Sequence, residues 1–353
     1  MTGRTRLRLP LILACLLMPA AALAETWALE QRTIPFDYDS PAVPLDYEPL
    51  ERAEQDWNFC VALPHMKDAY YLSMNYGMVE EARRLGVRFH MLDAGGYPNL
   101  DRQIEQIEDC VAQGADALIV VTVSYEGLSP VIARISRQIP VISAVNDIAN
   151  EGISAKAAVS WYDMGNAAAR VIAERHPKGS EPVDLAWFPG PEGAGWVQFV
   201  EAGFRDGIRE SSARVVATQF GDTGREIQVR LVEEVLDAHP GIAYLVGSAP
   251  TAEAAISVLR ARGLSDRVGI VSDYMTHAVY RALRRGRVIA APTDFPVMQG
   301  RLAIEMAVRA VEGRLEVRHA GPRIQLVTPE NVREIGPEGS LAPPDFVPAF
   351  VFE

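Results

Sequence analysis

The chain has 353 residues and a formal net charge of −12, a balance that repels phosphates at long range and excludes nucleic acid as a partner. Its length exceeds one ordinary hydrophobic core, so two lobes are expected. The six histidines (65, 90, 176, 239, 277 and 319) show no metal-ligand spacing, so no metal is expected.

The N-terminus reads as an export signal. Arg4, Arg6 and Arg8 precede an apolar run, Leu9–Leu23, and Ala22-Leu23-Ala24 places small residues at −3 and −1 of a cleavage point. The run falls short of the roughly 20 residues that a membrane span needs. Residues 1–24 are therefore expected to be a signal peptide, cleaved to leave a periplasmic chain that starts near Glu25 and inserts in no membrane. Two alternatives are a loose lipoprotein box at Ile12-Leu13-Ala14-Cys15 and an uncleaved anchor. Cutting at the box would leave an apolar core of about six residues, below the usual range of about 7–15. Loss of residues 1–24 removes three Arg and no acid, so −12 becomes −15. Cys60 and Cys110 then remain. An oxidising compartment permits a disulfide between them, and two buried thiols acting as small hydrophobes are the alternative.

Residues 25–56 contain Pro35, Pro41, Pro44 and Pro49 and read as an extended arm. From residue 57 short apolar runs alternate with amphipathic segments. Strands are expected at Asn58–Leu63, Val87–Leu92, Ala117–Val123 and Val141–Ala144, with helices at Ser73–Leu85, Leu100–Gln113 and Leu128–Gln138. The pattern restarts after Val159–Asp163, with strands at Val183–Phe188, Ala213–Gln219, Ile242–Val246 and Gly269–Ser272. Helices are expected at 196–210, 225–238, 251–262 and 275–285, then a strand at Val288–Ala291 and a helix at Val297–Glu312. Unalternated apolar strands belong in parallel sheets covered on both faces, so the class is α/β with two Rossmann-like lobes facing a cleft. The tail from Gly336 to Glu353 has four prolines and three phenylalanines and is expected to drape over a lobe.

Catalytic signatures are missing. There is no Gly-x-Ser-x-Gly elbow, no Walker loop and no recognisable carboxylate pair, so no catalytic residue, enzyme activity or cofactor is expected. Gly190, Gly193 and Gly195 form a turn between strand and helix that could cradle a phosphate. Their order is not the dinucleotide fingerprint, and the plainer reading is a sharp turn at the cleft edge. Aromatic residues, by contrast, gather after strands, at Tyr70-Tyr71, Trp161-Tyr162, Tyr274 and Phe295, with Asp68, Asp273 and Asp294 beside them. Ligands in open α/β sheets bind outside the carboxyl ends of the strands. Aromatic faces near a carboxylate suit a small methylated cationic nitrogen, each face contributing about 0.5–2 kcal/mol.

PHMKDAYYLSMNYGMVEEARRLGV, DAGGYPNLDRQIEQIEDCVAQGADALIV, IPVISAVNDI, VSWYDMGNAAA and WFPGPEGAGWVQFVEAGFRDGI resemble the type I periplasmic binding proteins, and among them the TorT branch. The resemblance covers roughly residues 57–330. Members of that branch sense trimethylamine N-oxide (TMAO) and present it to the periplasmic domain of a TorS-type sensor histidine kinase. The resemblance implies two lobes joined by a three-strand hinge, with an N-terminal lobe at 57–158 plus 294–320 and a C-terminal lobe at 159–293. Residues 321–353 would supply a hinge strand and the tail. It implies Tyr71, Trp161 and Tyr274 as an aromatic wall around the ligand, flanked by Tyr70 and Asp68, with Asp294 a further candidate. The family more often has tryptophan where Tyr71 stands. Sugar-binding members instead surround an aromatic pair with Asp, Asn and Arg, and often carry Asp-Gly where this chain has Asp273-Tyr274. The alternative function is that of a receptor delivering a sugar or other small solute to an ABC transporter.

Overall fold

The computed structural model describes residues 26–353, so the signal peptide expected at 1–24 lies outside the described residues. The stretch read as an extended arm is a hairpin. β1 (Trp27–Arg32) and β2 (Ala42–Tyr47) pair antiparallel over six residues, and the first also pairs with a strand from near the other end of the chain.

Apolar runs then build the first parallel layer: β3 (Asn58–Leu63), β4 (Arg88–Asp93), β5 (Ala117–Val120), β6 (Val141–Ala144) and β7 (Ala155–Ala157). β5 and β6 are buried at every position, as a strand covered on both faces must be. Helices α1 (Ala69–Leu85), α2 (Leu100–Ala112) and α3 (Ser129–Ile135) connect them. α1 starts four residues before the expected Ser73, because Asp68 accepts from the backbone N–H of Tyr70 and caps it.

α4 (Trp161–Arg175) opens the second layer. It leads to β8 (Val183–Gly190), α5 (Val197–Ile208), β9 (Ala213–Phe220), α6 (Arg225–Ala238), β10 (Tyr244–Gly247), α7 (Ala249–Ala261), β11 (Gly269–Ser272) and α8 (His277–Leu283). Its four strands lie parallel in the order β11-β10-β8-β9. The strand expected at Val288–Ala291 is β12 (Ala291–Thr293), which contains Pro292. Proline has no N–H to donate, and this strand sits in a two-stranded ribbon where Pro292 lies opposite Leu326.

α9 (Pro296–Val311) returns to the first layer, β13 (His319–Gly321) pairs with β7 and β1, and β14 (Gln325–Val327) completes the ribbon with β12. The chain thus changes layer near 158–160, 294–295 and 322–324. After α10 (Val332–Ile335) the tail ends in β15 (Val351–Phe352), paired antiparallel with β4. On the way, Ala342 is bonded to both lobes. Its N–H donates to Ser73 Oγ in α1, and its carbonyl lies 2.8 Å from His277 Nε2 in α8. Cys60 in β3 and Cys110 in α2 are joined as a disulfide, closing a 50-residue separation.

Two helix crossings aim the cleft-facing ends. A Cβ on Gly77 would lie 1.9 Å from the Val297 carbonyl oxygen, so α1 and α9 touch backbone to backbone. A Cβ on Gly203 would lie 1.9 Å from the Tyr162 carbonyl oxygen, which seats α4 equally close on α5. Such contact leaves little freedom to α1 and α4, whose first turns carry Tyr70, Tyr71 and Trp161.

Candidate ligand-binding site

The site is assembled from helix starts and strand ends. The Asp68 cap places Tyr70 and Tyr71 in the first turn of α1. Ser160 caps α4 by accepting from Asp163 N at 3.1 Å, which makes Trp161 the first helical residue. Trp196 immediately precedes α5. Val145 and Asn146 follow β6, Thr223 follows β9, Tyr274 follows β11, and Tyr97 projects from the loop after β4. Together with Asp68 these residues line a narrow cavity between the lobes.

Of the residues expected from sequence, Asp68, Tyr70, Tyr71, Trp161 and Tyr274 are brought together at this cavity. Asp294 is not in its lining. It stands behind Tyr70, whose hydroxyl donates to Asp294 Oδ2 at 2.6 Å, and Gln299 Nε2 donates to the same oxygen at 2.7 Å. Tyr97, Trp196, Asn146 and Thr223 were not anticipated as site residues. The first two lie in the AGGYPN and GPEGAGW stretches, whose distinctiveness was the available signal.

The tyrosine rings meet edge to face and the two indoles are tilted against each other. Tyr70 meets Tyr71 at 5.6 Å and Tyr274 at 5.5 Å between centroids, and Trp161 meets Trp196 at 4.9 Å. Their polar tips are engaged by protein. Trp161 Nε1 donates to the Val145 carbonyl at 2.9 Å, and Trp196 Nε1 donates to Tyr97 Oη at 3.0 Å. Tyr71 and Tyr97 hydroxyls lie 2.7 Å apart, and Tyr274 Oη donates to Asp68 Oδ2 at 2.5 Å. What the aromatics offer the cavity is chiefly ring surface.

Several of these bonds cross from lobe to lobe. Tyr274 to Asp68 and Trp196 to Tyr97 do so inside the cavity. At its edge the buried His65 Nε2 lies 3.0 Å from Thr223 Oγ1 and 3.4 Å from Asp222 Oδ1. The glycine turn serves the same closure. A Cβ on Gly195 would lie 2.0 Å from the Asp147 carbonyl oxygen, so the turn presses on the facing lobe. Asp147 itself faces away, held at 2.5 Å by the buried Lys156. Val145, a β-branched residue, is held at φ 60°, a costly conformation of the kind found at ligand sites.

Burial governs the charges. It raises the Asp68 carboxyl above the ordinary carboxylate range, opposed by the hydrogen bonds from Tyr274 and the Tyr70 backbone. Burial raises Asp294 too, against its bonds from Tyr70 and Gln299. Asp273 is pushed up most plainly, being fully enclosed with both carboxylate oxygens unpartnered. Among the described residues no group of His, Cys, Asp and Glu could hold a metal ion, and no helix is long and apolar enough to cross a membrane.

The family model of the periplasmic binding protein domain matches residues 59–315. Periplasmic protein TorT of Escherichia coli K12 is 38% identical over 305 residues, which is 86% of each chain. A structure of an ABC transporter solute binding protein from Bradyrhizobium sp. BTAi1 with bound bis-tris is 44% identical. It superposes with a TM-score of 0.79 over 94% of this chain and 100% of that one. A structure of the TorS sensor domain–TorT complex in the presence of TMAO is 39% identical, with a TM-score of 0.76 over 84% of this chain and 100% of that one.

Proposed function

The chain belongs to the periplasmic binding protein family, and from that premise we propose that it is a TorT-type sensor that closes on TMAO or a closely related methylated compound and signals to the periplasmic domain of a histidine kinase. One observation carries the reading: a small cavity walled by six aromatic residues, each of whose polar tips takes part in a hydrogen bond within the protein. Methyl groups on a positive nitrogen need ring faces and no hydrogen bonds, so this wall suits them. A sugar presents hydroxyls on every side, and each one buried without a partner costs about 1–3 kcal/mol.

In this reading the N-terminal lobe comprises 57–158 plus 294–320, the C-terminal lobe 159–293, and residues 321–353 the last hinge strand and the tail. Residues 1–24 direct export and are removed. Asp68, Tyr70, Tyr71, Trp161 and Tyr274 hold the ligand, Asp294 orients Tyr70, and no catalytic step follows. Ligand contacts made only when the lobes are closed stabilise that state. A sensor domain that distinguishes open from closed then has an affinity coupled to the ligand, by the same factor in both directions.

The Bradyrhizobium relative, described as a transporter component, favours a second reading as a receptor for an ABC permease. Calorimetry of the mature protein with the cognate sensor domain, with and without TMAO, separates the two readings. The sensor reading requires complex formation and a TMAO-dependent affinity. Absence of any complex would favour the transport receptor.

A further inference from the structure

Resting on the proposed TMAO-type ligand, the hydrogen-bond arithmetic around Tyr97 assigns Tyr71 a role beyond that of a ring in the wall. Three donors or hydroxyls surround Tyr97 Oη: Trp196 Nε1 at 3.0 Å, Asn146 Nδ2 at 3.1 Å and Tyr71 Oη at 2.7 Å. An indole nitrogen can only donate. The Asn146 amide is oriented by its bond to the Thr122 carbonyl at 2.8 Å, which demands that the nitrogen stand on that side. The remaining Asn146 amide proton has two hydroxyls within reach and lies nearer Tyr97 Oη, at 3.1 Å, than Tyr71 Oη, at 3.4 Å. With it and the indole N–H on Tyr97, both lone pairs of that oxygen are filled, and the Tyr97 proton goes to the Tyr71 oxygen. Tyr71 accepts, and among the described residues its own O–H is left without an acceptor in a cavity it lines.

We propose that the Tyr71 hydroxyl is the donor that captures the oxygen of an N-oxide, or of a comparable small oxide, while Trp161, Trp196 and Tyr274 take its methyl face. A hydroxyl already accepting from Tyr97 is polarised and donates more strongly, and the acceptor is a full negative oxygen in a water-poor space. Such a donor makes the site selective for methylated nitrogen that carries an acceptor, over a quaternary ammonium ion of the same size.

The test pairs TMAO with tetramethylammonium, which matches it in shape and lacks the oxygen, in calorimetric titrations of the wild type and of Tyr71→Phe. The expected result is that Tyr71→Phe loses about tenfold or more in TMAO affinity and holds tetramethylammonium as well as the wild type does. A fall of equal size for both compounds would make Tyr71 merely structural and overturn the proposal. So would an unchanged TMAO affinity. A wild type that binds neither compound would instead defeat the ligand reading beneath it.

Discussion

Asp68 and Tyr274 meet across the cleft, the Tyr274 hydroxyl donating to Asp68 Oδ2 at 2.5 Å while Asp68 Oδ1 caps the helix that carries Tyr70 and Tyr71. One carboxylate thus sets the first turn of α1 and fastens the opposite lobe to it. Tyr274→Phe keeps the ring and removes the fastening. We expect TMAO affinity to fall about tenfold, the effect of losing one hydrogen bond to a charged group of about 1.5 kcal/mol. Calorimetry checks this. Circular dichroism should show an unchanged fold.

Trp161 contributes a face to the cavity and its N–H to the strained Val145. Trp161→Ala removes both, and binding should weaken by about tenfold or more. Because Trp161 also begins the segment beyond the first interlobe crossing, the domain motion seen by small-angle scattering on adding TMAO should shrink with it. Full affinity in this variant would remove Trp161 from the site.

Asp273 gives a pH signature. Its folded-state pKa is raised by burial, so its contribution to stability is present below the ordinary carboxylate value and is lost as pH rises through the folded value. Asp273→Asn removes that loss. The variant should melt a few degrees above the wild type at pH 8 and converge on it towards pH 4. His319, pushed down to about 3 by burial, tilts the whole-protein curve the other way. The informative quantity is therefore the difference between variant and wild type.

The Cys60–Cys110 bond links β3 to α2 over 50 residues. Closing a loop of that length constrains the unfolded chain by about 4 kcal/mol. Cys60→Ala with Cys110→Ala should unfold at a markedly lower denaturant concentration and, once folded, bind TMAO unchanged, since neither residue is in the cavity lining.

The parts legible in the sequence were those with a local cause. Asn58–Leu63, Val141–Ala144 and Gly269–Ser272 stand where their apolar runs lie, and Trp161 and Tyr274 could be placed at the cleft from their positions after strands. Tyr97 and Trp196 could not. They sit in irregular loops, and their meeting at 3.0 Å depends on the closure of two lobes almost a hundred residues apart in sequence. Asp294 also follows a strand, and its Oδ2 meets Tyr70 and Gln299 behind the cavity lining. Asp68 has two jobs at once, and only its position beside the aromatic pair was visible in advance. Sequence pattern fixes where a side chain leaves the backbone. Which partner claims it is settled by the packing.

The most direct measurement is a calorimetric titration of the purified mature protein with TMAO, beside trimethylamine and ribose. Saturable binding of TMAO, with no heat from ribose, is the result that an aromatic cavity with its polar tips already paired should give. Binding of ribose, or of none of the three, would contradict the account and leave the two-lobed fold without its assigned ligand.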